Sequence, residues 1–186
     1  MKPISHTQAL NRLKTLKDDL RAEISNSYEQ NAKSCLTCET QGACCLDAHF
    51  VNVHISRLEA VAIEQTLDKF PEEKKALVFA RIDETIKRYS LTAEGDTFAQ
   101  TYACPLFEQG IGCLVHNEGK PLACITHACY ENERDLPPGH LLADQEARVE
   151  DLNRRTYSRP HPWLPIPLAL KKHSQKEIHK VTKDTL

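Results

Sequence analysis

The sequence predicts a mainly α-helical, single small domain with one short β-hairpin. Three observations predict it. Apolar residues recur at three- and four-residue steps over several long stretches, the pattern of helices with one buried face. Only two short stretches carry strand or hairpin signals. The 186-residue length suits one domain with a real core and is short for two.

Residues 6–29 form the first expected helix, with Leu10, Leu13, Leu16, Leu20 and Ile24 on one face and Lys, Asp, Arg and Glu between them. A core-covering role is the plain reading, and a partner-binding helix the alternative. Asn31 to Ser34 break it, and a cysteine-bearing loop follows in which Gly42 allows a tight turn. Residues 49–55 alternate polar and apolar, with Val51, Val53 and Ile55 on one side, as a short strand does. Ser56-Arg57-Leu58-Glu59 matches a capping box and should start a helix running to about residue 70. Pro71-Glu72-Glu73 suits the first turn of another, over 71–90, since proline lacks an N–H where none is needed and the carboxylates favour the positive end of the helix dipole. Val78, Phe79, Ile82, Ile86 and Tyr89 give it a core face.

Residues 104–107 and 113–116, joined by the turn Glu108-Gln109-Gly110-Ile111-Gly112, read as the hairpin. A short helical turn is expected over 122–130, and a last helix with a weak apolar stripe over 141–157. Residues 159–167 are proline-dense and should be extended, with Trp163 as anchor. Residues 171–186 carry five lysines against two acids and read as a basic, mobile C-terminal tail, which leaves 1–170 as the folded part. His173 and His179 there read as solvated charge.

The eight cysteines are far above ordinary usage and fall into two groups. Cys35, Cys38, Cys44 and Cys45 lie in the first, and Cys104, Cys113, Cys124 and Cys129 in the second. No secretory signal opens the chain and no apolar run approaches the ~20 residues of a membrane span, so a cytoplasmic, reducing location is expected. There, a Cys-x2-Cys pattern points to a metal site more than to disulfides. Soft thiolates suit zinc, iron–sulfur clusters or copper(I). Cys35-x2-Cys38 has the bite for one tetrahedral metal or two irons of a cluster. Adjacent Cys44 and Cys45 point apart, so one binds while its neighbour packs, bridges or serves a second metal. Cys104 and Cys113 would meet at the base of the hairpin, and Cys124 and Cys129 lie close to one helical turn apart. Two sites of four cysteines each, or one site with packing cysteines, both remain open. His49, His54, His116 and His127 are nearby candidate ligands but lack the paired helical spacing of zinc histidines.

Other chemistry is missing from the sequence. A net charge of −2 offers no basic field for nucleic acid. There is no glycine-rich phosphate loop, no G-x-S-x-G elbow and no H-E-x-x-H, which leans against an enzyme.

The chain resembles the YkgJ-like cysteine-cluster family, a zinc- or iron-chelating domain. The resemblance rests on Cys35-x2-Cys38 followed by Cys44-Cys45, on Cys104-Pro105-Leu106-Phe107, on Gly112-Cys113-Leu114-Val115-His116 and on Lys120-Pro121-Leu122-Ala123-Cys124. Lys120 stands where that family usually has Arg, and Cys129 lies outside its pattern. The resemblance implies metal binding through the cysteines, with a slight lean to an iron–sulfur cluster over zinc. The reading that follows is a metal-binding protein with a redox or cluster-dependent accessory role and an unknown protein partner. The rival expectation is a structural zinc module for protein interaction.

Overall fold

The computed structural model describes residues 2–33, 39–48 and 51–181, apart from the side chains of 175–181. Helix makes up 57% and strand 7%, so the mainly α expectation with a short hairpin holds. The chain divides into two compact units: residues 1–42 with 120–161, and residues 43–119 with 162–186.

The first unit is built on α1 (His6–Ser27). Its N-terminus is fixed by a capping box that apolar spacing alone does not flag: the Ser5 hydroxyl accepts the Gln8 N–H and the Gln8 side chain accepts the Ser5 N–H, each at 3.2 Å. Ala9, Leu13, Leu16, Leu20 and Ile24 are its buried face. They pack against the single turn α5 (Leu122–Ile125) and the long α6 (Gly139–Tyr157), which bury Leu122, Ile125, Val149 and Leu152. The helix expected from residue 141 begins two residues earlier, because Pro138 supplies an extended N-cap backbone and its carbonyl accepts the Leu141 N–H at 3.0 Å. Strand β1 (Ala32–Lys33) pairs antiparallel with β5 (Cys129–Tyr130), setting Lys33 opposite Cys129. The helical turn expected over 122–130 therefore ends at Ile125, and Cys129 is a strand residue. Cross-strand pairing decided this, and periodicity cannot see pairing.

The second unit holds the main hydrophobic cluster. Helix α2 (Ala43–Leu46) opens it, a helical turn where the sequence suggested loop. Gly42 just before it has φ 82°, the left-handed turn expected of it. Of the expected strand 49–55, residues 49–50 lie outside the described set, and pairing is confined to β2 (His54–Ile55), which faces β6 (Leu164–Pro165). Helix α3 (Arg57–Leu67) starts at the expected capping box, with Ser56 and Glu59 both fully buried. Helix α4 (Glu72–Arg88) follows Pro71, which is the N-cap itself and sits one position before the first turn. The hairpin is β3 (Phe107–Glu108) with β4 (Gly112–Cys113), in the register Phe107 to Cys113.

Helix α7 (Ile166–Val181) revises two expectations. The proline-rich stretch stays extended only to Pro165, since Pro167 falls in a first helical turn, where its missing N–H has no partner to lose. The segment read as a mobile tail is helical through Val181. Lys171 pairs with Asp83 at 2.7 Å and the half-buried His173 ring with Glu64, so His173 is not solvated charge. Apolar residues Ile166, Ala169 and Leu170 seat this helix in the core.

Candidate metal centre

Two chain segments bring four cysteines into one unit. Cys44 and Cys45 ride on the single turn of α2, which the Asp47 N–H closes onto the Ala43 carbonyl at 2.8 Å; beyond the turn, the Val51 N–H reaches the Asp47 carbonyl at 3.2 Å. Cys104 and Cys113 flank the hairpin. The Cys104 carbonyl accepts the Phe107 N–H at 3.3 Å, and the Leu106 carbonyl accepts the Leu114 N–H at 2.9 Å, so the turn between them is tightly closed. The two segments are joined directly: the Cys104 N–H donates to the Cys45 carbonyl at 2.8 Å. Cys104 and Cys113 also pack on the edge of the hydrophobic cluster.

The thiols feel one another. Burial pushes the Cys45 thiol far above its usual value, and the charges of Cys104, Cys44 and Cys113 and a hydrogen bond with the Cys44 side chain push it in the same direction. All four are half-buried thiols. Among the described residues, no three Cys, His, Asp or Glu side chains converge as ligands of one ion. Thiols ligate only as thiolates, and each sulfur here moves by rotation about a single χ1. Sulfur is the donor type that soft cations prefer, and binding one would require these thiols to lose their protons.

Cys124 and Cys129 belong to the other unit, on α5 and β5. Cys129 lines an open depression of about 520 Å³ with Lys33, His127 and Tyr130. Cys35 and Cys38, and with them the Cys-x2-Cys bite, lie outside the described residues, as does His49.

The candidate histidines separate clearly. His54 is buried and stacks on Phe98 at 4.1 Å. Its Nδ1–H donates to the Asn52 carbonyl at 2.6 Å and its Nε2 accepts from the Thr97 hydroxyl at 3.1 Å. Both ring nitrogens are occupied, so it is a structural histidine, and burial lowers its pKa below the ordinary value. His116 and His127 are exposed.

Sequence reasoning missed Tyr102. It is fully buried and makes three hydrogen bonds to backbone groups from the segment that carries Cys104. A single aromatic two residues before a cysteine carries no sequence signal of that kind.

No protein-family model matches this chain, and no curated protein or solved structure proved detectably similar to it. Among the described residues, no helix is long and apolar enough to cross a membrane.

Proposed function

We propose that this chain is a metal-binding protein, holding an iron–sulfur cluster or a zinc ion through its clustered cysteines and acting as a redox or cluster-dependent accessory to a protein partner in the cytoplasm. The observation that carries the reading is the meeting of Cys44, Cys45, Cys104 and Cys113 in one unit, drawn together by the Cys104 to Cys45 backbone bond. Three thiols within electrostatic reach of Cys45, in a chain without other catalytic signatures, suit a soft metal better than any alternative ligand. The likeness of the cysteine spacing to YkgJ-like proteins supports the same chemistry.

Two features favour an iron–sulfur cluster. Adjacent cysteines chelate one small ion poorly but can serve different metals of a cluster, and Cys104-Pro105 matches the Cys-Pro of ferredoxin-type ligation. A cluster, when bound, would supply one-electron chemistry. One observation favours the second reading, a structural zinc module: Cys104 and Cys113 pack against the hydrophobic cluster, as ligands of a closed, scaffold-forming site do.

The test is UV–visible absorption with elemental analysis on protein purified without oxygen. Brown protein containing iron and acid-labile sulfide supports the cluster. Colourless protein with stoichiometric zinc supports the structural module. Protein that carries neither metal, and takes up neither on reconstitution, refutes metal binding.

A further inference from the structure

We propose that Tyr102 is the positioning residue of the thiol site, holding Cys104 against Cys45 through its buried hydroxyl; this rests on the metal-binding reading. The four thiols come from two segments far apart in sequence, and what sets their spacing is a closed circuit of backbone hydrogen bonds. From α2 the Asp47 carbonyl accepts the Val51 N–H at 3.2 Å; the Val51 carbonyl accepts the Tyr102 N–H at 2.9 Å; two residues on, the Cys104 N–H returns to the Cys45 carbonyl at 2.8 Å. Cys45 and Cys104 are thus opposite ends of one short loop of bonds with Tyr102 at its turning point.

The side chain of Tyr102 fixes that point. Its hydroxyl donates to the Val53 carbonyl at 2.6 Å and accepts the Ile166 N–H at 3.1 Å. The same Ile166 N–H also reaches the Val53 carbonyl at 3.2 Å. One buried hydroxyl therefore ties the Cys104 segment both to the stretch leading into β2 and to the first residue of α7. When the oxygen is removed, the Ile166 N–H and the Val53 carbonyl keep only their bond to each other, and bulk water does not reach a fully buried position to restore their tie to the Cys104 segment. The backbone ring then keeps its connectivity but loses the brace that sets its width, and the sulfurs of Cys104 and Cys45 lose their fixed spacing. A metal site held a fraction of an ångström too loose binds weakly even in a folded protein.

The experiment is a Co2+ titration of the full-length reduced protein, followed by thiolate-to-cobalt charge-transfer absorption. A Cys124→Ser/Cys129→Ser background confines the signal to the thiols of the second unit. Tyr102→Phe is compared with Ile82→Val, a substitution in the same hydrophobic cluster that touches none of these hydrogen bonds, with the folded fraction of each followed by circular dichroism. Tyr102→Phe should weaken cobalt binding about tenfold, the scale of one lost buried hydrogen bond, and shift the cobalt d–d bands, while Ile82→Val binds as the parent does. Cobalt affinity of Tyr102→Phe within about twofold of the parent overturns the proposal. So does equal weakening in Ile82→Val, which would make the effect one of general stability. A parent protein that binds no cobalt overturns the metal reading itself, and is told apart from failure of the positioning role because the parent, not the variant, is silent.

Discussion

The chain contains the same capping motif twice, once in water and once in the core, and this makes a sharp test of what a cap is worth. Ser56 and Glu59 are 0% and 1% exposed, whereas Ser5 and Gln8 are exposed. At the buried box the Ser56 hydroxyl accepts the Glu59 N–H at 3.2 Å and donates to the Glu59 carboxylate at 3.3 Å, while the Ser56 N–H reaches the same carboxylate oxygen at 3.1 Å. Ser56→Ala removes the first two bonds. The cap alone is worth about 1 kcal/mol. Here water cannot enter to replace it, and a bond to a carboxylate is lost as well, so the cost rises to about 2–3 kcal/mol. For a chain of this size that lowers the melting midpoint by about 4–12 °C. Ser5→Ala removes one solvent-replaceable bond of 3.2 Å and should cost about 0.5 kcal/mol. The assay is paired thermal and urea unfolding of both variants beside the parent. If the two substitutions cost the same, or the exposed one costs more, burial is not what sets the value of the cap, and the reasoning fails.

Four other outcomes are expected. Cys45→Ser or Cys104→Ser should lower bound metal by the full content of the second unit, measured by elemental analysis, while Cys129→Ser leaves that content in place. His54, whose pKa is depressed by burial, is neutral in the fold; the unfolded chain takes up its proton first, so stability is present above the ordinary histidine value and is lost as pH falls below about 6.5. Melting between about pH 7.5 and about pH 5.5 should therefore fall more steeply in the parent than in His54→Gln, and parallel curves would refute this. Gly119→Ala should destabilise by about 2–3 kcal/mol in urea: φ is +85°, and the new Cβ would stand 3.0 Å from Thr66 Oγ1 and 3.3 Å from the Ile63 Cα on α3. His173→Ala leaves the Glu64 carboxylate without the histidine in a nearly dry setting, its Oε1 already unpartnered, and should cost about 2 kcal/mol; an unchanged midpoint would mean that α7 is not held there.

Local signals carried most of the helices. The apolar spacing of Leu13, Leu16, Leu20 and Ile24 placed α1, the Ser56 box placed the start of α3, and Pro71 with two glutamates placed α4, because a helix bonds only to itself and its caps lie within four residues. The hairpin's place was readable too, since Gly110 and Gly112 allow its turn, but its pairing is confined to Phe107–Glu108 and Gly112–Cys113, inside the expected turn and at the edges of the expected strands. Two of the stretches that the sequence misplaced depend on distant partners. Cys129 became a strand residue because Lys33 pairs with it, and the Lys-rich end became helix because Asp83 and Glu64 receive Lys171 and His173.

The candidate site divides along the same line. Composition and spacing by themselves determined that this is a thiol-rich chain whose sulfur atoms are of the donor type soft metals prefer, because ligand type is a property of single residues. Only the tertiary structure decided which thiols meet. It grouped Cys44 and Cys45 with Cys104 and Cys113, left Cys124 and Cys129 to the other unit, and removed His54 from the candidates by occupying both ring nitrogens. The physical reason is that proximity between Cys45 and Cys104 rests on a hydrogen bond and a buried tyrosine whose partners lie tens of residues away. No short-range pattern encodes such closure; it exists only once the core around Tyr102 has formed.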